Sequence, residues 1–315
     1  MPRKGEKGSD DVGDVFVRVA AFVAIIAAGF TARQRGWLPE GTDATISKIV
    51  FSLTLPCAII HAFGAAEFSH ELLWLVLLGA AFTVGSYFAM LLLVRRSSPE
   101  DKVFYLCNVS GYNIGCFALP FVQALFPPAQ AVVTCLFDAG NAVMMAGGSY
   151  ALTGVFAGSG KVEHPWRLIG RRLFSSMPFD AYLILVGLAL VGIRTPEVVV
   201  TFTEPMANAN AFLAMFMLGL MVNAQVDAAK LGKVVRLVAA RVAMSALFSA
   251  LIWCALPFDA TARLILVMLV WATAGSMGPV FTQWSHGDYG LAGFANAVTI
   301  VIGVVAVTGI ALLAL

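Results

Sequence analysis

Two stretches of the 315-residue chain place amides, hydroxyls, glycine and proline inside otherwise apolar runs: Asn113-Ile-Gly-Cys-Phe-Ala-Leu-Pro120 and Thr273-Ala-Gly-Ser-Met-Gly-Pro279. Proline removes a backbone N–H and clashes with the carbonyl four residues back, and glycine lets the chain turn, so a helix through either stretch is expected to break. The second half of such a helix presents free N–H groups and partial positive charge, here near Pro120 and Pro279, and that suits an anion. Tyr112, Asn113 and Gly115 at the first break, Thr273 and Ser276 at the second, Gln283 after it and Asn141 on another apolar run could then bind a carboxylate. Each amide could equally be an interhelical hydrogen bond that holds the bundle together.

Asp138 is the acid that lies deepest in an apolar run. It stands about nine residues from the end of its run, so at about 1.5 Å per residue it is about 14 Å deep in a hydrocarbon core about 30 Å thick. An ionised carboxylate there is costly, so it is expected to carry a proton or to be paired with donors or a cation. With Asn141 one turn away, Asp138 is a candidate for coupling to a proton or to sodium, or else a neutral acid donating a structural hydrogen bond. His61 and His70 fall near the ends of runs, where His61 is a candidate pH gate.

The five cysteines, Cys57, Cys107, Cys116, Cys135 and Cys254, show no metal or dithiol spacing and are expected to act as small buried hydrophobes. No metal or cofactor is expected. There is no His-Glu-x-x-His, no Asp-rich diphosphate motif and no Ser/His pair at depth, so an enzyme is not expected.

The elements that must position these residues follow from composition. The chain is 60% hydrophobic and 12% charged, with mean hydropathy +0.87, where a soluble domain carries about 25% charge. That excludes soluble enzymes and nucleic-acid binders and predicts an all-α polytopic membrane protein in contact with the lipid bilayer. Apolar runs predict ten transmembrane helices, at 14–33, 44–64, 71–94, 102–125, 129–156, 178–193, 203–225, 232–256, 260–284 and 291–315. A polar tail, 1–13, precedes them, and its acids, which balance Arg3, Lys4 and Lys7, argue against a cleaved leader. Placing the first loop inside puts fourteen Lys and Arg on the inner side, Arg241 among them, against six outside. The positive-inside bias thus puts both termini outside a cell membrane. On this count no Lys or Arg lies deep in a span.

The longest polar connection, 158–177, carries Trp166, Arg167, Arg171 and Arg172 and reads as an inner linker along the headgroups. It divides the chain into two five-helix repeats, 14–157 and 178–315. Because five is odd, the second must be inverted relative to the first. Pro120 and Pro279 stand 159 residues apart, and the same offset brings Asp138 within a residue of Asn296. The fourth and ninth helices are therefore expected to be broken crossover helices.

Several segments resemble the auxin efflux carrier family of secondary transporters, whose bacterial members include carboxylate permeases. They are Gly29-Phe-Thr-Ala-Arg-Gln-Arg-Gly-Trp-Leu-Pro39, Ser47-Lys-Ile-Val-Phe-Ser-Leu-Thr-Leu-Pro-Cys-Ala-Ile-Ile60, Asn113 to Pro120, similar to the family's Asn-Thr-Gly-x-x-Gly-Leu-Pro, and Gly278-Pro-Val-Phe-Thr-Gln283. The resemblance implies a scaffold of spans 1, 2, 6 and 7, and a mobile unit whose spans 4 and 9 cross at their prolines. Asn113, Pro120 and Pro279 would then hold an organic anion. Ile114 replaces the family's Thr and Ala118 its Gly, which removes a hydroxyl at 114.

The function expected is a secondary transporter for a small organic anion, a carboxylate, working by alternating access with a proton or sodium as the candidate coupling ion. A homodimer is a further expectation. The alternatives are a cation exchanger or sodium-coupled carrier of the same layout, which should carry more intramembrane acids, and a non-transporting membrane sensor.

Overall fold

Long apolar runs without alternation leave each backbone N–H and C=O to be satisfied within its own segment, and the helix does this. The computed structural model describes residues 6–66, 70–158, 164–222 and 227–313. Among these the only β pairing is an isolated antiparallel bridge between Tyr112 and Ala274.

The first half holds α1 (Glu6–Gln34), α2 (Thr42–Ile49), α3 (Leu55–Gly64), α4 (Trp74–Leu93), α5 (Pro99–Val109), α6 (Leu119–Leu125), α7 (Ala131–Val143) and α8 (Ser149–Ala157). The linker contributes α9 (Pro165–Leu173). The second half holds α10 (Met177–Leu190), α11 (Glu197–Met221), α12 (Leu231–Ala255), α13 (Ala260–Val270), α14 (Gly278–Trp284) and α15 (Tyr289–Leu313). Helical segments fall within each of the ten stretches expected from the sequence, several of them short or interrupted. Among the described residues six are long and apolar enough to cross a membrane unbroken: Gly13–Gln34, Thr42–Gly64, His70–Leu93, Pro128–Ala157, Ala228–Ala255 and Tyr289–Leu313. α9 meets α10 at a bend of 79°. α1 starts at Glu6, within the stretch read as a tail.

Proline shapes two of these rods. Pro56 and Pro120 each lie in the first turn of a helix that follows a π-helical turn, Val50–Thr54 and Ile114–Ala118. The wider turn makes room for the ring where it would otherwise strike the carbonyls of Ser52 and Cys116. Pro120 therefore does not break its helix, contrary to expectation.

Two helix pairs approach backbone to backbone. A Cβ on Gly219 of α11 would lie 2.0 Å from the Ile26 carbonyl of α1, and one on Gly29 would lie 2.3 Å from the Phe216 carbonyl. In the same way Gly79 of α4 faces the Phe137 carbonyl at 2.1 Å, and Gly140 of α7 faces the Val76 carbonyl at 1.9 Å. Such small-residue seams supply the close van der Waals contact that holds helices together in lipid.

α1, α3, α10 and α11 pack on one another as a wall; α4, α5, α7, α8 and α12 to α15 pack around the bridge. Lys233 pairs with Asp101 and Lys230 with Asp288, drawing together the starts of α5, α12 and α15 at one end of the molecule. Four cysteines are buried as expected, whereas Cys254 is exposed, because it lies on an outward face of α12.

Gly219→Ala and Gly140→Ala are expected to lower stability by about 1–3 kcal/mol, because the added methyl meets backbone that cannot yield. Gly85→Ala, where nothing lies within 4 Å, should be neutral. Thermal unfolding of the purified variants in detergent checks both.

Candidate functional site

The crossing is built from two breaks in helical runs, joined by an isolated bridge. α5 stops at Val109, Ser110 is extended, and Gly111 takes φ +86°, a left-handed conformation that glycine adopts without strain. Tyr112 then pairs with Ala274, and the Asn113 N–H donates to the Thr273 carbonyl at 3.0 Å. From the other side α13 ends at Val270, and α14 begins at Gly278 with Pro279 in its first turn. The two broken segments therefore meet at Tyr112 and Ala274, eight residues before Pro120 and five before Pro279, and not at the prolines.

Side chains satisfy the backbone groups freed there. Asn141 of α7 accepts from the Tyr112 N–H and donates to the Tyr112 carbonyl, both at 2.9 Å. Thr299 of α15 accepts from the Ala274 N–H at 3.0 Å. The Arg241 guanidinium of α12 donates to the carbonyls of Val109, Gly111 and Ala272 and stands over the Tyr112 ring, 5.4 Å from its centroid. Val109 closes α5 and Ala272 follows two residues after the end of α13, so this cation sits by the negative ends of two helix dipoles.

Arg241 is 7% exposed, so the expectation that no Lys or Arg lies deep in a span is wrong. Ten residues into α12, it is about 15 Å along the helix axis from Leu231. Counting it with the inner loop had hidden that depth.

A cavity of about 530 Å³ lies beside the crossing. Tyr112, Asn113, Gly115 and Ser276 line it from the two breaks, Asp138 and Asn141 from α7, Leu55 and Tyr182 from the wall. Arg172, Ser175 and Ser176 line its linker end. Asp138 accepts from Asn141 Nδ2 at 2.8 Å and from the Tyr182 hydroxyl at 2.7 Å, so it is paired with donors on both oxygens. Asn113 and Ser276 are 3% and 4% exposed, and Asn113 Nδ2 and Ser276 Oγ have no partner. The Arg172 guanidinium lies 4.1 Å from the Trp284 ring centroid and 5.5 Å from that of Tyr150.

Six of the residues singled out from sequence thus share one cavity: Tyr112, Asn113, Gly115, Asp138, Asn141 and Ser276. Pro279 is buried next to them without lining it, and Gln283 is exposed, its position on α14 turning it away. Pro120 lies with His61 and Gln123 in a separate recess of about 280 Å³. Tyr182, Arg172 and Arg241 were not foreseen. Arg241 could have been found from its depth alone, whereas Tyr182 and Arg172 are brought in by the bend between α9 and α10, which no local pattern announces.

Residues 14–165 match the membrane transport protein family, the auxin efflux carrier family that the sequence motifs resemble. The match contains the first break, Asp138 and Asn141, and ends before the second half of the crossing. No curated protein matches the chain.

Arg241→Met is expected to abolish the monodisperse folded protein, since each buried carbonyl left without a donor costs about 1–3 kcal/mol. Arg241→Lys, a point charge with fewer donors, should fold with a lowered melting temperature. Size-exclusion profiles and thermal unfolding in detergent distinguish these outcomes.

Proposed function

We propose, from the match of residues 14–165 to the membrane transport protein family, that the chain carries a small organic anion, a carboxylate, across the cell membrane by alternating access. The observation that carries this reading is the pair of unpartnered buried donors, Asn113 Nδ2 and Ser276 Oγ, which come from opposite breaks and line one cavity. An amide nitrogen can only donate, so it asks for an acceptor such as a carboxylate oxygen, where a sodium site would present oxygens. Arg172 adds a cation at the linker end, by which an anion would enter.

In this reading the two halves are inverted five-helix repeats with both termini outside. Support comes from the way the breaks are held: Tyr112 by Asn141 from the span after the first break, and Ala274 by Thr299 from the span after the second. α1, α3, α10 and α11 form the fixed wall, and the crossover with its surrounding helices shifts along it.

Asp138 sets the condition for binding. Two like charges about 4 Å apart at an effective dielectric constant of about 20 repel by about 4 kcal/mol, which weakens binding several-hundred-fold. The carboxylate therefore binds once Asp138 has taken up a proton.

The test is uptake of a panel of labelled carboxylates into proteoliposomes, at a series of symmetric pH values and with imposed proton or sodium gradients. Saturable uptake should rise in acid and ignore sodium. Asn113→Ala and Ser276→Ala should each lower it about tenfold, about one hydrogen bond to a charged group. Asp138→Asn should keep uptake in alkaline medium, where the wild type slows. Absence of saturable carboxylate flux under every condition would sink the reading.

A further inference from the structure

We infer that Tyr182 is a positioning residue through which the wall senses the proton on Asp138, the two forming a proton-operated latch between wall and crossover. The inference rests on the proposed function for the idea that the two units move. Its own ground is geometric. Tyr182 lies on α10 of the wall, Asp138 on α7 beside the crossing, and the phenol donates to Asp138 Oδ2 at 2.7 Å while Asn141 donates to Oδ1. Tyr182 is 3% exposed, so water does not compete freely for the bond. Asn141 in turn clasps both backbone groups of Tyr112, so a pull on Asp138 from the wall reaches the crossing through two side chains.

The latch has two states. With Asp138 ionised, the bond from Tyr182 is charge-assisted and about twice as strong as a neutral one. When a proton from the cavity binds a carboxylate oxygen, that oxygen becomes a hydroxyl, the charge is gone, and the phenol, still protonated, faces a neutral acid. The same event lifts the repulsion against an incoming anion, so loading and release coincide. An empty carrier stays held until a proton reaches Asp138, whichever way the solute gradient runs.

Among the described residues Asp138 is the carboxylate of α7 and of the cavity. Tyr182 comes from α10, the Cys116 thiol from the turn before α6, Cys135 from α7 itself, and Tyr112 and, from α9, Arg172 line the same cavity, α9 also carrying Arg167 and Arg171. α4 and α6, which also pack on α7, have no charged residue, and Tyr87 is the titratable group of α4; the short turn His70–Leu73, packed on α7 as well, carries His70 and Glu71; α13 has only Arg263, near its start, and the titratable residues of α3 are Cys57 and His61. His61 lines the other recess.

A solute-free measurement tests this. Spin labels at Leu183→Cys on α10 and Leu92→Cys on α4, both exposed positions, with the exposed Cys254 changed to Ser, report the wall-to-crossover distance by pulsed electron resonance in lipid nanodiscs. One distance population is expected for the wild type in alkali and a second in acid. Tyr182→Phe and Asp138→Asn should each show the second at every pH, and the double variant should add nothing. A Tyr182→Phe distribution that follows pH as the wild type does would falsify the latch, as would a wild-type distribution indifferent to pH. Failure of carboxylate uptake alongside a normal pH response would overturn the proposed solute and leave the latch standing.

Discussion

The crossing depends on one buried cation. Two helices that stop in a buried interior leave their last carbonyls unpaired, and both bring the negative ends of their dipoles to a place that water screens poorly. Arg241 meets both problems at once, since its planar fork spreads donors over Val109, Gly111 and Ala272 while its charge faces both helix ends. A buried guanidinium is itself costly unless its donors are used. The helix ends and the arginine therefore stabilise one another, and neither is tenable alone.

That arrangement sorts the polar groups around the breaks. Carbonyls are consumed by Arg241, and Asn141 and Thr299 take the N–H groups of Tyr112 and Ala274. Among the cavity-lining residues of the two breaks, two side-chain groups remain without a partner, Asn113 Nδ2 and Ser276 Oγ. In the proposed reading a site for an anion is thus produced by using up the acceptors elsewhere, without a lysine or arginine at its centre. In the same reading Asp138 supplies a negative charge beside those donors, and its proton decides whether an anion is tolerated.

Much of this was legible in the residues. The all-helical architecture with several long apolar helices, and the two interruptions in otherwise helical runs, follow from hydropathy and from proline and glycine chemistry, and those physical rules hold regardless of partners. The exact break was not legible. Proline marks where a helix is hindered, but a π turn absorbed that hindrance at Pro120, and the break fell at Gly111, where positive φ is available and Asn141 and Arg241 stand ready to pair the freed groups. Those partners lie 30 and 130 residues away, so only tertiary structure could choose the position. Tyr182 escaped notice for the same reason.

The packing also distinguishes what can move from what cannot. Within the wall, Gly29 and Gly219 seat α1 against α11 with backbone carbonyls in the space a Cβ would need, and within the crossover unit Gly79 and Gly140 do the same for α4 and α7. A seam of that kind has no soft part; it holds or it opens entirely. Between the units the contacts differ in kind. Gly115 of the crossover faces Leu55 of the wall, but the atoms that approach it are the terminal methyls of a flexible side chain, which can change rotamer at small cost. The Asp138 to Tyr182 bond is likewise a pair of side-chain tips. Rigid backbone seams inside each unit and yielding side chains between them are what a shift of one unit past the other requires, because close-packed interiors do not deform continuously and motion is confined to surfaces that can let go.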